Sequence, residues 1–152
     1  MQADNLESAF ASVTEHWSPR VVGRVNDQFV KVAKLKGRLA WHKHDDEDEL
    51  FQVVKGRLVI RFEGGREAVL NPGEFCVVPK GVLHDPVADE ECWIVLIETV
   101  TTKHTGDVVT DRTRSIEEQL ARYSAATAEA SDGLRAYTGW VPRDPPTASS
   151  YP

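Results

Sequence analysis

The chain has 152 residues, 41% of them hydrophobic and 28% charged, which fits one globular domain of ordinary size with a buried core. Its formal net charge of −6 disfavours nucleic acid and anionic membranes as partners, because both are bound by basic surfaces. No signal peptide or membrane span is expected, since the N-terminus lacks a basic segment followed by an apolar run and no apolar stretch reaches about 18 residues.

Cysteine usage indicates neither a CxxC motif nor zinc-finger spacing. The two cysteines, Cys76 and Cys92, lie in apolar strand-like segments. We expect both to be buried free thiols, because unpaired cysteine often behaves as a small hydrophobic residue. Together with the lack of a targeting segment, this predicts a cytoplasmic location.

Residues 3–17 are predicted to form a helix that packs on the rest of the domain. Asp4 would cap it, with Glu7 three residues further on in a capping-box pattern. His16 would stand at its C-terminal end, where a positive charge is favourable. Four apolar residues recur at helical spacing and predict a stripe that packs on the core: Leu6, Phe10, Val13 and Trp17.

Residues 20–100 carry the pattern of many short strands. The segments are rich in β-branched and aromatic residues: RVVGRV, QFVKVAKL, ELFQVV, RLVIRFE, EAVL, EFCVVP and CWIVLIETV. Gly64-Gly65 predicts a two-residue hairpin turn with positive φ at both positions. Asn71–Gly73 and Pro79–Gly81 predict further turns. Short strands with turns roughly every 8–12 residues indicate an all-β sandwich or barrel.

The strand pattern fades in residues 101–152. KHTGDVVTDRT is polar and turn-like, whereas RSIEEQLARYSAATAEA, residues 114–130, is predicted to be a helix with Ile116, Leu120 and Tyr123 on one face. The final segment, VPRDPPTASSYP, is rich in Pro and Ser and is not expected to form a fold of its own. The predicted parts are therefore an N-terminal helix, a barrel, and a C-terminal loop, helix and Pro-rich tail.

Two histidines stand one residue apart in WHKHDDEDEL, residues 41–50, directly before five consecutive acidic residues. If GRLAWHKH is a strand, His42 and His44 point to the same face. Neutral imidazole is the commonest side-chain metal ligand, so this pair could supply two adjacent corners of a coordination sphere. The acidic residues 45–48 are interpreted as a solvated loop.

Glu49 differs from the acidic residues before it because it begins the apolar strand ELFQVVKG. It can point inward on the same face as Phe51 and Val53, where an ionised carboxylate needs a cation or hydrogen bonds. Downstream, His84 follows a Pro-x-Gly turn in PGEFCVVPKGVLHDP. On an antiparallel strand beside the first histidine pair, it would complete a set of three nitrogen donors and one oxygen donor.

Two segments together carry a family pattern: GRLAWHKHDDEDELFQVVKG, residues 37–56, and GEFCVVPKGVLH, residues 73–84. They resemble the two-part signature of the cupin superfamily. The resemblance implies an all-β fold, the double-stranded β-helix or jelly roll, here with short flanking helices. In that family the histidines and the glutamate of the two motifs bind one divalent metal. The ligands implied in this chain are His42, His44, Glu49 and His84.

The resemblance implies one divalent transition metal per chain and leaves the function open. The ligand set suits Fe, Mn, Co, Ni, Cu or Zn and selects none of them. Four protein ligands on an octahedral metal would leave two positions for a small molecule. One interpretation is a metalloenzyme of isomerase, lyase or dioxygenase type that acts on a small oxygenated molecule. The other is a non-catalytic protein that binds or senses a metal or small ligand.

Small cupins commonly pair, so a homodimer is expected. The apolar residues Leu50, Val54 and Leu58, predicted to face away from the barrel, are compatible with such a contact. Phe51, Val53, Phe75 and Val77 are instead expected to line the barrel wall.

Other polar residues near the predicted site are assigned weaker roles. Asp85 could accept a hydrogen bond from an imidazole or cap a turn. His104 could approach the barrel mouth, but a surface-loop position is favoured. No general acid or base beyond the ligands, and no cluster of Arg or Lys, can be placed inside the barrel: Glu63, Glu67 and Glu74 lie at turns, and Lys34 is ambiguous.

Overall fold

The computed structural model describes residues 3–120, which form a barrel of seven antiparallel strands with one short helix before it. The strands are β1 Arg20–Val25, β2 Gln28–Arg38, β3 Glu49–Lys55, β4 Leu58–Phe62, β5 Glu67–Leu70, β6 Phe75–Val78 and β7 His84–Thr99, and the helix is α1 Leu6–Ala11. The predicted all-β antiparallel architecture is confirmed.

Strand β7 connects the two layers of the barrel. Its C-terminal half pairs with β2 and β3, and its N-terminal half pairs with β4. The register along β2 shifts where Leu35 pairs with Cys92 and Gly37 pairs with Ala88. The extra residues of β7 at this bulge allow the strand to bend from one layer into the other. The two layers thereby enclose a single interior.

Side-chain alternation gives β2 and β7 two buried faces. The inner face forms the barrel core, which includes Ala33, Phe51 and Ile94. The outer face of β2 and β7 is covered by α1, where Phe10 packs with Val32 and other residues of a second cluster. A helix as short as α1 is not stable alone, so this packing must hold it in place.

The first helix is shorter than predicted and differently capped. It spans Leu6–Ala11 and not 3–17. Asn5, and not Asp4, is the capping residue, because its side-chain oxygen accepts a hydrogen bond of 3.2 Å from the Ser8 N–H. The predicted capping box is therefore wrong by one position.

The predicted apolar stripe is divided among three environments. Leu6 is exposed, whereas Phe10 and Val13 are buried against the outer face of the sheet. Trp17 lies beyond the helix with a φ of 59°, and its ring enters the barrel core instead. Its Nε1 donates a hydrogen bond of 2.8 Å to the carbonyl of Lys36. Trp17 consequently belongs to the interior that contains the candidate site.

His16 also lies outside the helix, contrary to its predicted position at the helix end. Its backbone forms an isolated bridge with Lys34, and its Nε2 lies 2.9 Å from the Glu91 carboxylate. Both side chains of this pair are more than two-fifths exposed, so the contact contributes little to stability.

The predicted turns are present, although one differs in length. Glu63–Gly65 forms a 3₁₀ turn closed by a 2.8 Å hydrogen bond from the Phe62 N–H to the Arg66 carbonyl, and not a two-residue turn. Both of its glycines have positive φ, as predicted, at 76° and 77°. The turns at Asn71–Gly73 and Pro79–Gly81 are closed by backbone hydrogen bonds of 2.9 and 3.2 Å.

Three residues face the opposite side of the sheet from the predicted one. Phe75 and Val77 were expected in the barrel wall but are 65% and 48% exposed. The β3–β6 register places Cys76 opposite the inward-facing Phe51, so the residues on either side of Cys76 must point outward. Leu58 was expected to face outward but is fully buried in the barrel core.

Both cysteines are free thiols, as predicted. Cys92 is buried in the barrel core, and Cys76 is half-buried and packs against that core. Burial raises the pKa of the Cys92 thiol to about 11, so it remains protonated and unreactive at neutral pH.

After β7 the chain forms a series of turns, and residues 116–120 are helical. The remainder of the predicted 114–130 helix, including Tyr123, and the Pro-rich tail lie outside the described residues. Within residues 3–120, no helix is long and apolar enough to cross a membrane.

Candidate metal centre

Three imidazoles and one carboxylate meet inside the barrel. One ligand atom from each of His42, His44, Glu49 and His84 lies within 4.8 Å of the others, and all four residues are buried. The Glu49 Oε2 atom is 3.2 Å from the Nε2 atoms of both His44 and His84. The structure therefore brings together the four residues selected from the sequence.

Backbone hydrogen bonds, and not a continuous strand, position these side chains. The segment GRLAWHKH was expected to be a strand, but β2 ends at Arg38 and His44 lies in a loop. His42 instead forms an isolated bridge with His84, in which each N–H donates to the other carbonyl at 2.9 Å. Glu49 begins β3 and faces inward on the same side as Phe51, as predicted.

Two of the imidazoles are oriented by main-chain carbonyls. Nδ1 of His42 donates to the carbonyl of Ala40 at 3.0 Å, and Nδ1 of His84 donates to the carbonyl of Val82 at 2.9 Å. These hydrogen bonds place the proton of each neutral ring on Nδ1, which leaves the Nε2 lone pair free to bind a cation.

Asp85 takes neither of the roles predicted for it. Its carboxylate is fully buried and lies 2.7 Å from the guanidinium of Arg38. The neighbouring His84 ring donates to a backbone carbonyl, so Asp85 does not orient it. The prediction failed because the β4–β7 pairing continues through Asp85, and its side chain consequently points away from that of His84.

Charge compensation dominates the electrostatics of the four residues. Burial alone would raise the pKa of Glu49, but the close contacts with His44 and His84 lower it far below its ordinary range. Burial also opposes protonation of His44, yet Glu49 outweighs this effect and raises the pKa of His44. Burial and the neighbouring His84 lower the pKa of His42. Glu49 is therefore ionised and requires a positive partner.

This arrangement fits a divalent transition metal. Such metals bind imidazole nitrogen and carboxylate oxygen. Four of these donor atoms lie close enough together here to bind one ion. A cation would also supply the positive charge that the buried Glu49 needs. The cluster could hold a metal without any other side chain moving into it.

The loop that follows β7 contacts Lys43, the residue between His42 and His44. The Lys43 N–H donates to Asp107 Oδ1 at 3.1 Å, and the Asp107 N–H donates back to the Lys43 carbonyl at 3.1 Å. Gly106 allows this close approach, since a Cβ atom there would collide with the Lys43 carbonyl and lie 3.3 Å from His42 Cδ2. We call this contact the Lys43–Asp107 clamp.

His104 lies in the same loop and is buried, so the prediction of a surface-loop histidine is wrong. Only 6% of the residue is exposed. Its Nε2 accepts a hydrogen bond of 2.7 Å from the Arg114 N–H. Burial, assisted by the charge of Lys31, lowers the pKa of His104 to about 4. The ring is therefore neutral at neutral pH.

A buried ion pair lies beside the four residues. Lys31 Nζ is 2.7 Å from Glu98 Oε1, and both side chains are fully buried. Glu98 is directly opposite Glu49 in the β3–β7 ladder, so the two carboxylates share the inner face. Burial raises the pKa of Glu98 to about 7, although the Lys31 ammonium opposes this shift. The expectation that the barrel contains no acid or base beyond the four candidate ligands is therefore wrong for Glu98.

A small cavity of about 30 Å³ adjoins the four residues. Its walls are mainly apolar and include Trp17, Leu35 and Leu96, whereas its polar boundary contains His42, Glu49 and His104. One water molecule needs about 10–15 Å³ of such space, so the cavity is small. The cavity therefore offers a small space with polar groups on one side.

Comparison with known proteins agrees with this architecture. The family model described as the cupin domain matches residues 29–98. A cupin-2 domain protein from Shewanella frigidimarina NCIMB 400 is 43% identical, with a TM-score of 0.62 over 64% of this chain and 94% of that one. The chain belongs to the cupin superfamily.

Two further proteins are similar to this cupin. Protein NMB1881 from Neisseria meningitidis is 33% identical, with a TM-score of 0.60 over 64% of this chain and 99% of that one. The uncharacterized protein YdbB from Bacillus subtilis strain 168 is 38% identical over 80 residues, which are 53% of this chain and 71% of that protein.

Two features of this cupin were missed in the sequence for different reasons. Lys31 and Glu98 could have been found by alternation, because Lys31 shares a strand face with Phe29 and Glu98 shares one with Leu96. His104 gave no such signal, since it lies in a polar loop whose path is set by tertiary contacts.

Replacing Lys31 by methionine should destabilise the barrel by about 3–5 kcal/mol at pH 8, because Glu98 would remain buried without its cation. The loss should be smaller at pH 5. Glu98 has a raised pKa in the folded state, so the folded protein can take up the proton there and lose the buried charge. Urea denaturation at the two pH values measures both effects.

The double variant Lys31→Met/Glu98→Leu should recover most of the lost stability, since two apolar side chains can replace a buried ion pair. Lys36→Met is the matched control: its partner is Glu90 at 3.4 Å, both side chains are at least half exposed, and a change below about 0.5 kcal/mol is expected. A double variant less stable than Lys31→Met would contradict this account of the pair.

Proposed function

We propose that this cupin binds one divalent transition metal per chain through His42, His44, Glu49 and His84. The observation that carries the proposal is the convergence of four buried ligand atoms within 4.8 Å. Two of the imidazoles are already oriented by backbone carbonyls, so their Nε2 atoms need no rearrangement to bind. The donor set is compatible with Fe, Mn, Co, Ni, Cu or Zn and selects none of them.

We further propose that a small oxygen-containing molecule binds in the adjoining cavity and that the protein is a metalloenzyme of isomerase, lyase or dioxygenase type. A divalent metal would act there as a Lewis acid on an oxygen atom of that molecule. The mainly apolar walls lower the local polarity, which would strengthen the electrostatic interactions of a bound molecule. Glu49 and His42 border the cavity directly, so a bound molecule would contact the candidate ligands.

A non-catalytic binding or sensing role is the second candidate. The observation that favours it is the cavity volume of about 30 Å³, which accepts only a very small molecule unless side chains move. Turnover of a substrate larger than this volume would favour the enzyme, whereas metal binding without any turnover would favour the second role.

The homodimer and the cytoplasmic location remain predictions. The outer face of β3 and β6 is compatible with self-association, because Val54, Phe75 and Val77 are exposed there and Leu50 pairs with Val77. A second copy of the chain could cover these apolar side chains.

Elemental analysis of protein purified without an affinity tag or chelator should find close to one transition metal per chain. His44→Ala should lose most of this metal, because it removes one of four ligands, and should keep its far-UV circular dichroism spectrum. Iron would direct the search to oxygen-using reactions, whereas zinc, nickel or manganese would direct it to isomerase, lyase or binding roles.

His16→Ala is the matched control, since His16 is an exposed histidine outside the cluster, and it should retain the metal. Full metal content at unchanged affinity in His44→Ala would contradict the ligand assignment. Absence of metal from the unaltered protein, even after metal is added back, would contradict the proposal as a whole.

The Lys43–Asp107 clamp should be required for tight metal binding. Gly106→Ala places a methyl group against the Lys43 carbonyl and should displace the backbone between His42 and His44. A fall in metal affinity of about 10–100-fold is expected, the range typical of groups that orient metal ligands. Competition with a chromophoric chelator measures it.

Gly64→Ala separates this effect from backbone strain. Gly64 also has a positive φ, 76°, but a Cβ atom there would meet no atom within 4 Å. It should lose some stability and keep its metal affinity. Equal affinities of the Gly106→Ala and Gly64→Ala variants would show that the clamp does not position the ligands.

Metal-dependent stabilisation should increase as pH rises. Without metal, the Glu49–His44 pair contributes stability that is fully present below the ordinary imidazole pKa of 6.5 and is lost as pH rises through the raised pKa of His44. The same titration makes the neutral imidazole available to a cation. The gain in Tm on adding zinc should therefore be larger at pH 8 than at pH 5.5.

Thermal unfolding with and without zinc at the two pH values measures this dependence. His44→Ala should show a smaller change in the gain between the two pH values, because it lacks the competing proton site. A gain in Tm that is equal at both pH values in the unaltered protein would contradict competition between proton and metal.

A further inference from the structure

His104 has the properties of a group that contacts a bound molecule. It lies outside the matched cupin region, residues 29–98, in the loop that the Lys43–Asp107 clamp holds against the barrel. It is buried to 6% exposure and lines the cavity that His42 and Glu49 also line. The ring is thus held at the polar boundary of the cavity.

The hydrogen bond to His104 determines which nitrogen carries its proton. Nε2 accepts from the Arg114 N–H at 2.7 Å, so the neutral ring must have its proton on Nδ1. Among the described residues, Nδ1 has no hydrogen-bond partner. The residue as a whole is buried, but Nδ1 is not among the fully enclosed atoms that lack a partner, so this donor is open to a small molecule bound in the cavity.

The surrounding loop fixes this donor in place. The Gly106 N–H donates to the Lys103 carbonyl at 2.8 Å, and Thr105 Oγ1 donates to the Val108 carbonyl at 2.8 Å. These contacts, with the clamp, hold the loop on both sides of His104. The donor is therefore positioned before any molecule binds, which lowers the entropic cost of binding.

We propose that His104 binds the molecule that occupies the cavity, by donating a hydrogen bond from Nδ1 to an oxygen atom that carries full or partial negative charge. This inference rests on the proposed metal site. The chemical class that fits is a small carboxylate, an enolate or a similar oxyanion with a short apolar part. The oxygen would face His104 and the metal ligands, and the apolar part would face Trp17 and Leu35.

The neutral state of His104 supports this role. Its lowered pKa, about 4, keeps the ring uncharged at neutral pH, so its one ring proton stays on Nδ1 and remains available for donation. The Arg114 N–H would also have to give up its acceptor before Nε2 could be protonated.

Cobalt(II)-loaded protein provides a test that does not depend on activity. Azide is a small anion, and its binding at cobalt changes the visible spectrum, so a titration gives its Kd. His104→Leu removes the donor and should weaken azide binding by at least about 10-fold, as expected for a hydrogen bond to a charged group. Cobalt affinity, measured separately with a chelator, should change less than about 3-fold if His104 is not a metal ligand.

His104→Gln is the rescue variant. Its Oε1 can accept from the Arg114 N–H and its Nε2 can donate into the cavity, so azide affinity should stay within about 3-fold of that of the unaltered protein. A purely structural role would predict equal azide affinities for folded Leu and Gln variants.

The outcomes separate this inference from the proposed function. If the unaltered protein binds cobalt and azide, and azide affinity falls in His104→Leu but not in His104→Gln, the inference is supported. If azide does not bind to the cobalt protein, or binds equally to all three proteins, His104 is not the donor and the inference is overturned while the metal site stands. If the unaltered protein binds no cobalt, both proposals are overturned.

Discussion

The buried charge of Glu49 is the constraint on which the rest of the interior depends. Only 3% of this residue is exposed, at the first position of β3, where an uncompensated carboxylate would cost several kcal/mol. Its Oε2 contacts His44 and His84 at 3.2 Å, and these contacts keep the pKa low in spite of burial. In the folded protein, Glu49 therefore needs either a protonated imidazole or a bound cation beside it.

The polypeptide satisfies this constraint by joining segments that are distant in sequence. His42 and His84 are paired through two backbone hydrogen bonds, and the clamp attaches Asp107 to the residue between the first two histidines. Neither contact belongs to a regular strand ladder. The four candidate ligands come from segments in both layers of the barrel, and the loop after β7 contacts one of these segments, which couples the candidate site to the complete fold.

Features that depend on local sequence patterns could be predicted, whereas features that depend on contacts between distant segments could not. Strand positions and the four residues of the candidate metal centre could be selected from the sequence, because alternation and the two motifs are local patterns. Alternation predicted the wrong side of the sheet for Phe75 and Val77, because pairing with β3 determines which residues of the four-residue strand β6 point inward. The burial of His104 could not be predicted, since a hydrogen bond from Arg114 and the contact of its loop with the barrel determine it. The burial of Lys31, in contrast, could have been predicted from alternation along β2.

The inner face carries a charge balance that connects the candidate metal centre with the proposed ligand of the cavity. Glu49 and Glu98 are directly opposite each other, and Lys31 neutralises only one of them. With neutral imidazoles and both carboxylates ionised, this group has one excess negative charge, which disfavours an anion in the adjoining cavity. A divalent cation at the four ligands would reverse the sign of this excess. An anionic oxygen would then be attracted to the boundary of the cavity where His104 lies, and the apolar walls would strengthen that attraction. The same cation that compensates Glu49 would thereby prepare the cavity for an anionic ligand.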